Sequence, residues 1–266
     1  MRTLPAPLAL TRTGSRAARV GAFTLEVWSR LLVEGPHMGV EERAQLLSWT
    51  AENMCALHGV RLTVRGRVPQ APSMLVANHV SYFDPLIVAS QVPCTAIAKR
   101  EVSAWPCIGD VTRRLGALFV TRTDALSGAR VLRDAIRALR AGVSVLVFPE
   151  GTTTHGDKVL PFKRGAFGAA AIAGVPIVPV AIKYGCAHAA WVGDDTFLPH
   201  YVRTMAKPYT RVHLEFLEPL PYARAGSVAE LAEQARSAIE HTLTSASHDG
   251  ALRVPRFDDV WSVATA

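Results

Sequence analysis

Short apolar runs alternate along most of the chain with segments of helical periodicity. From about residue 65 onward, the runs predict strands at 74–77, 95–98, 117–121, 144–148, 177–182 and 212–216. Helices are predicted at 85–90, 102–115, 127–141, 165–173 and 227–243, the last with Ser227 and Glu230 as a capping box. This alternation predicts an α/β fold with a mostly parallel central sheet flanked by helices.

Two amphipathic helices are predicted before these strands, as an N-terminal appendage. The first covers 20–33 and ends at Gly35 and Pro36, and the second covers 41–57 and ends at Gly59. Their apolar faces comprise Val20, Phe23, Val27, Trp28, Leu31 and Leu32, and then Leu46, Leu47, Thr50, Met54 and Leu57. The pattern fits either a hairpin packed on its own domain or helices that lie on a membrane. Arginines at 2, 12, 16 and 19 favour the membrane, because anionic lipid attracts basic residues.

Neither a signal peptide nor a membrane-spanning helix is predicted. Glu26 and Arg30 interrupt the apolar run of the first helix, whereas a spanning helix needs about 20 apolar residues. The longest uncharged stretch, 165–182, is broken by Gly174 and Pro176, so it predicts a short helix, a turn and a buried strand with edge or bulge features at its prolines. We therefore expect an N-terminal membrane-interface segment at 1–62, one α/β domain at 63–245 and a C-terminal tail at 246–266.

Composition and charge narrow the classes of partner. With 49% hydrophobic and 19% charged residues among 266, the chain can build a core, which excludes a disordered protein. The 29 basic residues exceed the 22 acidic ones by 7, and all but five of them are arginines, which suit phosphate groups. No zinc-finger spacing or aromatic-interleaved basic stretch is present, so no nucleic-acid partner is expected. The four scattered cysteines predict small buried thiols.

Polar residues follow three of the predicted strands, where the carboxyl ends of parallel strands meet and ligands collect. In chain order these segments carry Asn78, His79 and Asp84, then Gly116, Phe119 and Arg122, and then Glu150, Gly151 and Thr152. A histidine and an acid separated by one short loop can meet, so that Asp84 holds one ring nitrogen of His79 and the other takes a proton from a hydroxyl. No protein nucleophile accompanies this pair, which favours a substrate hydroxyl.

Each of these residues also has a structural explanation. Asp84 before Pro85 is typical of a helix N-cap, a lone histidine is more often structural than catalytic, and Glu150 can belong to a simple turn. Their co-location at one sheet edge favours the catalytic interpretation. A serine hydrolase is not supported, because no Gly-x-Ser-x-Gly elbow is present. A metal site of His79, Asp84 and Glu150 lacks a paired ligand motif, so no metal is predicted.

Four sequence blocks carry a family resemblance. They read Asn78-His79-x4-Asp84, Gly116-x2-Phe119-x2-Arg122, Phe148-Pro149-Glu150-Gly151-Thr152 and Val175-Pro176-Ile177-Val178-Pro179-Val180, within 74–183. Each block alone is a weak signal, whereas four in this order are a strong one. In order, they resemble the blocks of the glycerolipid acyltransferases, most closely the 1-acylglycerol-3-phosphate (lysophosphatidate) acyltransferases.

The resemblance implies acyl transfer from acyl-CoA or acyl-carrier protein to the free hydroxyl of a lysolipid, most directly 1-acyl-sn-glycerol-3-phosphate, giving phosphatidic acid. By the same resemblance His79 is the general base and Asp84 orients it and stabilises its imidazolium, within a catalytic domain at 63–245. No cofactor beyond the donor substrate is expected. We expect a peripheral or monotopic enzyme at an anionic membrane surface, on the cytoplasmic face of the cell membrane.

The resemblance also implies residues that bind the acceptor. These are Asn78, Gly116, Phe119, Arg122, Glu150, Gly151 and Thr152. Lys163 and Arg164 join them, because they precede the helix at 165, where an anion fits better than a cation; an exposed cationic pair is the alternative. Many relatives that act on lysophosphatidate carry an arginine after Glu-Gly-Thr, whereas this chain has Thr153 and Thr154. A lyso-ornithine lipid or another lysolipid is therefore the alternative acceptor.

Overall fold

The computed structural model describes residues 6–105, 107–193, 195–222, 226–245 and 252–253. In chain order the elements are α1 (Ala6–Val33), α2 (Val40–Leu57), β1 (Val60–Gly66), β2 (Met74–Ala77), α3 (Asp84–Ala89), β3 (Cys94–Lys99), α4 (Ile108–Arg114), β4 (Leu118–Val120), α5 (Ala125–Arg140), β5 (Ser144–Val147), α6 (Gly165–Ala173), β6 (Ile177–Tyr184), α7 (Phe197–Met205), β7 (Thr210–Phe216), α8 (Val228–Thr244) and β8 (Leu252–Arg253). Short 3-10 turns occupy Gly35–His37, Arg100–Ala104 and Ala187–Ala189.

The strands form one sheet in the order β4-β3-β5-β2-β6-β7-β1-β8. From β4 to β6 all neighbours are parallel, and β7 and β1 are parallel to each other; the β6–β7 and β1–β8 pairs are antiparallel. This confirms the predicted α/β class with a mostly parallel sheet. The carboxyl ends of β2 to β6 lie at one edge of the sheet, which we call the catalytic edge.

Strand β6 lies inside the sheet, so its prediction as a strand with edge or bulge features was wrong. Pro179 is paired with Val76 of β2, and its carbonyl accepts a hydrogen bond from the Leu217 N–H at 2.9 Å. In a strand, the N–H and C=O of one residue point to the same side, so the missing N–H of Pro179 faces Leu217, just past the end of β7 at Phe216. The proline removes no bond from the regular β6–β7 ladder, which begins at Val180.

Two helical layers cover the sheet. On one face, α1, α2, α3 and α4 contribute Val27, Leu47, Ile87 and Val111 to a core cluster that Tyr201 of α7 also contacts. On the other face, α5, α6 and α8 form a second cluster with residues such as Leu139, Phe167 and Ile239. We call these the α1 face and the α5 face of the sheet.

The two predicted N-terminal helices are present and pack on their own domain. Helix α1 is longer than predicted, beginning at Ala6, and it buries a narrow stripe that includes Phe23, Val27 and Leu31, while Trp28 and Leu32 of the predicted apolar face are exposed. Its Arg16 guanidinium donates to the carbonyls of Met205, at 3.0 Å, and Pro208, at 2.7 Å, which ties α1 to the end of α7. Helix α2 buries most of its predicted face, including Leu46 and Leu47, and β1 then spans the expected boundary between 62 and 63.

Other differences have local causes. The helix predicted at 102–115 is divided into the turn Arg100–Ala104 and α4, because the sequence has a proline at 106 and Cys107 adopts a φ of 62°. Strand β1 and helix α7 were not predicted. Of the free cysteines, Cys55 and Cys94 are buried, whereas Cys107 is exposed and Cys186 half-buried.

The last predicted helix is confirmed as α8, where Ser227 Oγ accepts a hydrogen bond from the Glu230 N–H at 3.2 Å. Arg2 and most of the expected tail at 246–266 lie outside the described residues. Within the described part of the chain, no helix combines the length and the apolar character that crossing a bilayer requires.

Candidate active site

His79 and Asp84 form a hydrogen-bonded pair at the catalytic edge. The chain leaves β2 at Ala77, and the His79 Nδ1 atom lies 2.8 Å from Asp84 Oδ2. The aspartate side chain is wholly buried and the histidine ring is 13% exposed. An ionised carboxylate only accepts hydrogen bonds, so Nδ1 carries the proton and Nε2 holds a lone pair. This is the arrangement that a general base requires.

The Asp84 carboxylate is held by four donors. Its Oδ2 atom accepts not only from His79 but also from the Val80 N–H at 2.6 Å and the Ser81 N–H at 2.8 Å. Its Oδ1 atom accepts from the Tyr184 hydroxyl at 2.7 Å. The helix N-cap is Phe83, so the N-cap interpretation of Asp84 was wrong: the carboxylate turns back onto its own loop instead of capping α3. Four donors on one buried carboxylate fix its position in the loop.

Tyr184 was missed by the sequence analysis. It is the last residue of β6, so the rule that directed attention to residues following apolar runs would have found it at the end of the run 177–182. Burial, and next the charge of Asp84, raise the pKa of Tyr184 well above its ordinary value. The hydroxyl therefore stays protonated and remains a donor to Asp84.

Glu150 holds the backbone of the histidine loop. Its Oε1 atom accepts from the His79 N–H at 2.7 Å, and its Oε2 atom accepts from the Leu160 N–H at 3.0 Å. Burial raises the pKa of Glu150 above its ordinary value, and these two hydrogen bonds oppose that shift. The backbone carbonyl of the same residue, His79, accepts a hydrogen bond from the Thr154 N–H at 2.8 Å. Each carboxylate oxygen of Glu150 thus has a backbone partner.

Two further contacts orient the histidine. Asn78 bonds the β6 backbone through both ends of its amide, donating to the Ile182 carbonyl at 2.9 Å and accepting from the Ile182 N–H at 2.8 Å. The imidazole of His79 stacks on the ring of Phe148, with ring centres 4.1 Å apart and planes 19° apart. Asn78 is buried, and its side chain links the end of β2 to β6.

Cationic side chains also lie at the catalytic edge. Gly151 adopts a φ of 75°, and a Cβ atom there would lie 2.7 Å from Lys163 Nζ, so the lysine side chain runs across the Glu150-Gly151 turn. Arg164 and Thr152 are exposed next to it. Arg122 follows β4 at the same edge and is close enough to Glu101 for an electrostatic interaction between their charges. The structure therefore brings Arg122, Lys163 and Arg164 to the catalytic edge.

Gly116 and Phe119 are not brought there. Gly116 precedes β4, at the opposite edge of the sheet, where its carbonyl accepts from the Thr95 hydroxyl at 2.6 Å. Phe119 is half-buried in the middle of β4. The block from Gly116 to Arg122 thus spans the whole strand, and only its last residue lies at the catalytic edge.

Two threonines follow Thr152 in this loop. The Thr153 hydroxyl donates to the Trp191 carbonyl, and the Thr154 hydroxyl donates to the His79 carbonyl at 3.3 Å. Both hydroxyls donate to backbone carbonyls of other segments, and neither side chain supplies a cation. Over the described residues, no group of three His, Cys, Asp or Glu side chains is placed to hold a metal ion.

Comparison with known proteins agrees with this geometry. The family model described as Acyltransferase matches residues 60–183. A lyso-ornithine lipid O-acyltransferase of Pseudomonas aeruginosa is 36% identical over 207 residues, which cover 76% of this chain and 79% of that protein. A 1-acyl-sn-glycerol-3-phosphate acyltransferase of Neisseria meningitidis is 30% identical over 146 residues, 54% of this chain and 57% of that protein.

A solved structure has the same fold. It is the 1-acyl-sn-glycerophosphate acyltransferase PlsC of Thermotoga maritima, with a TM-score of 0.63, 24% identity and coverage of 89% of this chain and 99% of that one. At 24% sequence identity this structure shows a shared fold alone, whereas the Pseudomonas protein matches this chain at 36% identity over most of both sequences. On these grounds the chain belongs to the acyltransferase family and is an enzyme.

Proposed function

We propose that this acyltransferase moves an acyl group from a thioester donor to the free hydroxyl of a lysolipid, with His79 as the general base. The observation that carries the proposal is the contact between His79 Nδ1 and buried Asp84 Oδ2 at 2.8 Å, which leaves Nε2 as the basic nitrogen at the catalytic edge. The names of the relatives support a lysolipid as the acceptor.

The reaction needs one base. Nε2 of His79 takes the proton of the acceptor hydroxyl, whose oxygen attacks the thioester carbonyl carbon and forms a tetrahedral oxyanion. The C–S bond then breaks, and the imidazolium returns its proton to the departing thiolate, whose thiol has an ordinary pKa of about 8.5. The charge of Asp84 stabilises the imidazolium between these two steps.

The preferred acceptor is a lyso-ornithine lipid. The Pseudomonas relative supports it, and so does the segment after Thr152, where Thr153 and Thr154 offer no cation for a phosphate. Its head group carries one carboxylate and one ammonium, so it demands fewer cations than the phosphate of lysophosphatidate does. Lysophosphatidate is the second candidate, favoured by the cations Arg122, Lys163 and Arg164 at the catalytic edge.

The remaining expectations belong to this proposal. Either acyl-CoA or acyl-carrier protein supplies the thioester. The enzyme works at the cytoplasmic face of the membrane as a peripheral protein, for which the exposed apolar residues Leu25, Trp28 and Leu32 of α1 are the supporting observation.

The test is transfer by the purified full chain, with both donors and with both acceptors, followed by mass spectrometry of the products. We expect His79→Ala to lower kcat by about 10²–10⁴-fold, as removal of a general base does. The variant also loses its hydrogen bond to Asp84, so circular dichroism checks that it is folded at the assay temperature. His155→Ala is the matched control, because that histidine is exposed in the neighbouring loop and has no part in the pair. Full activity of His79→Ala would refute the mechanism.

A further inference from the structure

Helix α5 presents an arginine face, defined by Arg130, Arg133, Arg137 and Arg140. At 3.6 residues per turn these four positions fall within an arc of about 80°, and all four side chains are exposed. The opposite side of the helix is buried through residues such as Val131, Ala135 and Leu139. The arginines cover about 15 Å along the helix axis, at 1.5 Å per residue.

Two of the four arginines have nothing to neutralise them. Within the described residues Arg130 and Arg133 make no ion pair and no side-chain hydrogen bond, whereas Arg137 pairs with Asp134 at 2.9 Å and Arg140 donates to the Ile172 carbonyl at 2.9 Å. The first turn of the same helix exposes Leu126, which is 68% accessible and lies in line with the arginines. An exposed apolar residue at the end of a cationic stripe is typical of a protein interface, where an apolar contact is surrounded by charges.

The arginine face leads to the catalytic edge. Helix α5 begins just after β4, and its first turn is fastened there by the Thr121 N–H, which donates to Ser127 Oγ at 2.9 Å. Its second turn lies against the start of α6, because a Cβ atom on Gly165 would be 2.9 Å from Leu132 Cδ1. Lys163 and Arg164 at the site therefore adjoin the arginine face.

We propose that the arginine face of α5 docks an acidic acyl-carrier protein, which delivers its thioester to His79 along the catalytic edge. This inference rests on the proposed function and names the partner that brings the donor. The negative surface of the carrier would meet Arg130 and Arg133 first, and its flexible phosphopantetheine arm would extend past Lys163 toward the histidine.

Two structural facts argue against the other anions that arginines attract. Against a membrane, exposed apolar residues of α1 and α7, including Leu25, Leu32 and Leu198, belong to the α1 face, whereas the arginines lie on the α5 face across the sheet, with Leu126 and Ile172 as exposed large apolar residues there. A lipid surface that contacts one face cannot contact the other. The nucleotide part of CoA is excluded because small molecules bind in concave sites, and the arginine face is the convex side of an exposed helix.

The test compares two double variants of the full chain. R130E/R133E reverses the two unpaired arginines. R61E/R67E changes the net charge equally at two exposed arginines far along the sheet: Arg61 in β1, which stacks on the ring of Tyr209, and Arg67 just after that strand. Three quantities are measured for wild type and for both variants: affinity for purified holo-acyl-carrier protein, kcat/KM with palmitoyl-carrier protein and with palmitoyl-CoA, and sedimentation with phosphatidylglycerol vesicles.

We expect R130E/R133E to lower the carrier affinity and the kcat/KM with palmitoyl-carrier protein by at least about tenfold, through KM, and to remove most of their salt dependence. Transfer from palmitoyl-CoA and binding to vesicles should stay within about twofold of wild type, and R61E/R67E should behave as wild type throughout. R130A/R133A should show a smaller loss in the same direction. Circular dichroism checks that α5 is intact.

Several outcomes would overturn the docking surface. An unchanged carrier affinity would do so, and so would an equal loss with palmitoyl-CoA, which would assign the arginines to CoA, or a loss of vesicle binding, which would assign them to lipid. A wild-type chain that binds no carrier protein would also overturn it. If the carrier binds through Arg130 and Arg133 but no donor supports transfer, the docking surface holds and the proposed function fails.

Discussion

Removing the hydroxyl of Tyr184 tests how much its hydrogen bond to Asp84 contributes to stability and to kcat. Tyr184→Phe removes one donor and leaves the packing of the ring in place. Asp84 Oδ1 then loses its 2.7 Å hydrogen bond, while Oδ2 keeps its bonds from His79, Val80 and Ser81. The change is therefore small in volume and specific to one oxygen of the carboxylate.

The magnitude follows from the charge of that carboxylate. A hydrogen bond to a charged group stabilises a protein by about 1.5–3 kcal/mol, and a neutral one by about 0.5–1.5 kcal/mol. Because Asp84 is wholly buried and ionised in this arrangement, we expect Tyr184→Phe to lower the free energy of unfolding by about 2 kcal/mol, and the Tm by about 4–8 °C. We also expect about a tenfold lower kcat with both KM values nearly unchanged, since in the proposed mechanism the aspartate orients the base and does not contact the acceptor.

Urea unfolding and steady-state kinetics measure the two effects, and Tyr222→Phe, at an exposed tyrosine, is the control. A double-mutant cycle with Asp84→Asn shows whether Tyr184 acts through the carboxylate: once Asp84→Asn has removed that charge, the further loss of kcat from Tyr184→Phe should be much smaller. Wild-type kcat together with an unchanged unfolding free energy would refute the reasoning, as would losses that simply add.

Three other perturbations test different parts of the structure. Burial lowers the pKa of His58 from 6.5 to about 4, so the stability gained from burying the neutral ring is complete above pH 6.5 and is lost as the pH falls toward 4. In urea titrations between these pH values, the unfolding free energy of wild type should fall by about 3 kcal/mol more than that of His58→Gln. Equal losses would contradict this. Gly151→Ala should strain a left-handed turn and displace Lys163, which lowers the unfolding free energy by about 1 kcal/mol, measured by calorimetry, and raises KM for an anionic acceptor, measured by steady-state kinetics. An unchanged KM would show that the lysine does not bind the head group. Replacing exposed Leu25 and Leu32 of α1 with Gln should weaken sedimentation with anionic vesicles several-fold while leaving the Tm unchanged, and undiminished binding would exclude α1 as the membrane contact.

Much of this fold could be predicted from periodicity. The run 74–77 became β2 at the same bounds, and the other five predicted strands are present within a few residues, because short apolar runs between turns have few other ways to be buried. Helix α7 was missed because its burial does not follow hydrophobicity: the polar residues His200 and Thr204 are buried beside Met205, while Leu198 and Val202 are exposed. A pattern of apolar positions does not predict a helix that buries polar residues and exposes apolar ones.

The sequence identified residues of the candidate site, but it did not predict most of the contacts that hold them. His79 and Asp84 were identified from a spacing of five, and they do meet. The distribution of the Asp84 hydrogen bonds depends on β6 and on the start of α3, which are set by the packing of distant segments: Tyr184 is 100 residues away in the chain. Similarly, Gly116 belongs to the same block as Arg122, yet a strand of extended backbone separates them and puts them at opposite edges of the sheet.

By itself, then, the order of residues determined which segments become strands and helices, the layered α/β class, and the histidine and acid of the candidate site, because hydrophobic period and loop length are local properties. Only the tertiary structure decided that β6 lies inside the sheet, that Glu150 bonds the His79 backbone, and that arginines of α5 lie across the sheet from the apolar surface of α1. These relations depend on which strand pairs with which and on which side each helix crosses, and long-range packing selects among arrangements that local patterns leave equally open.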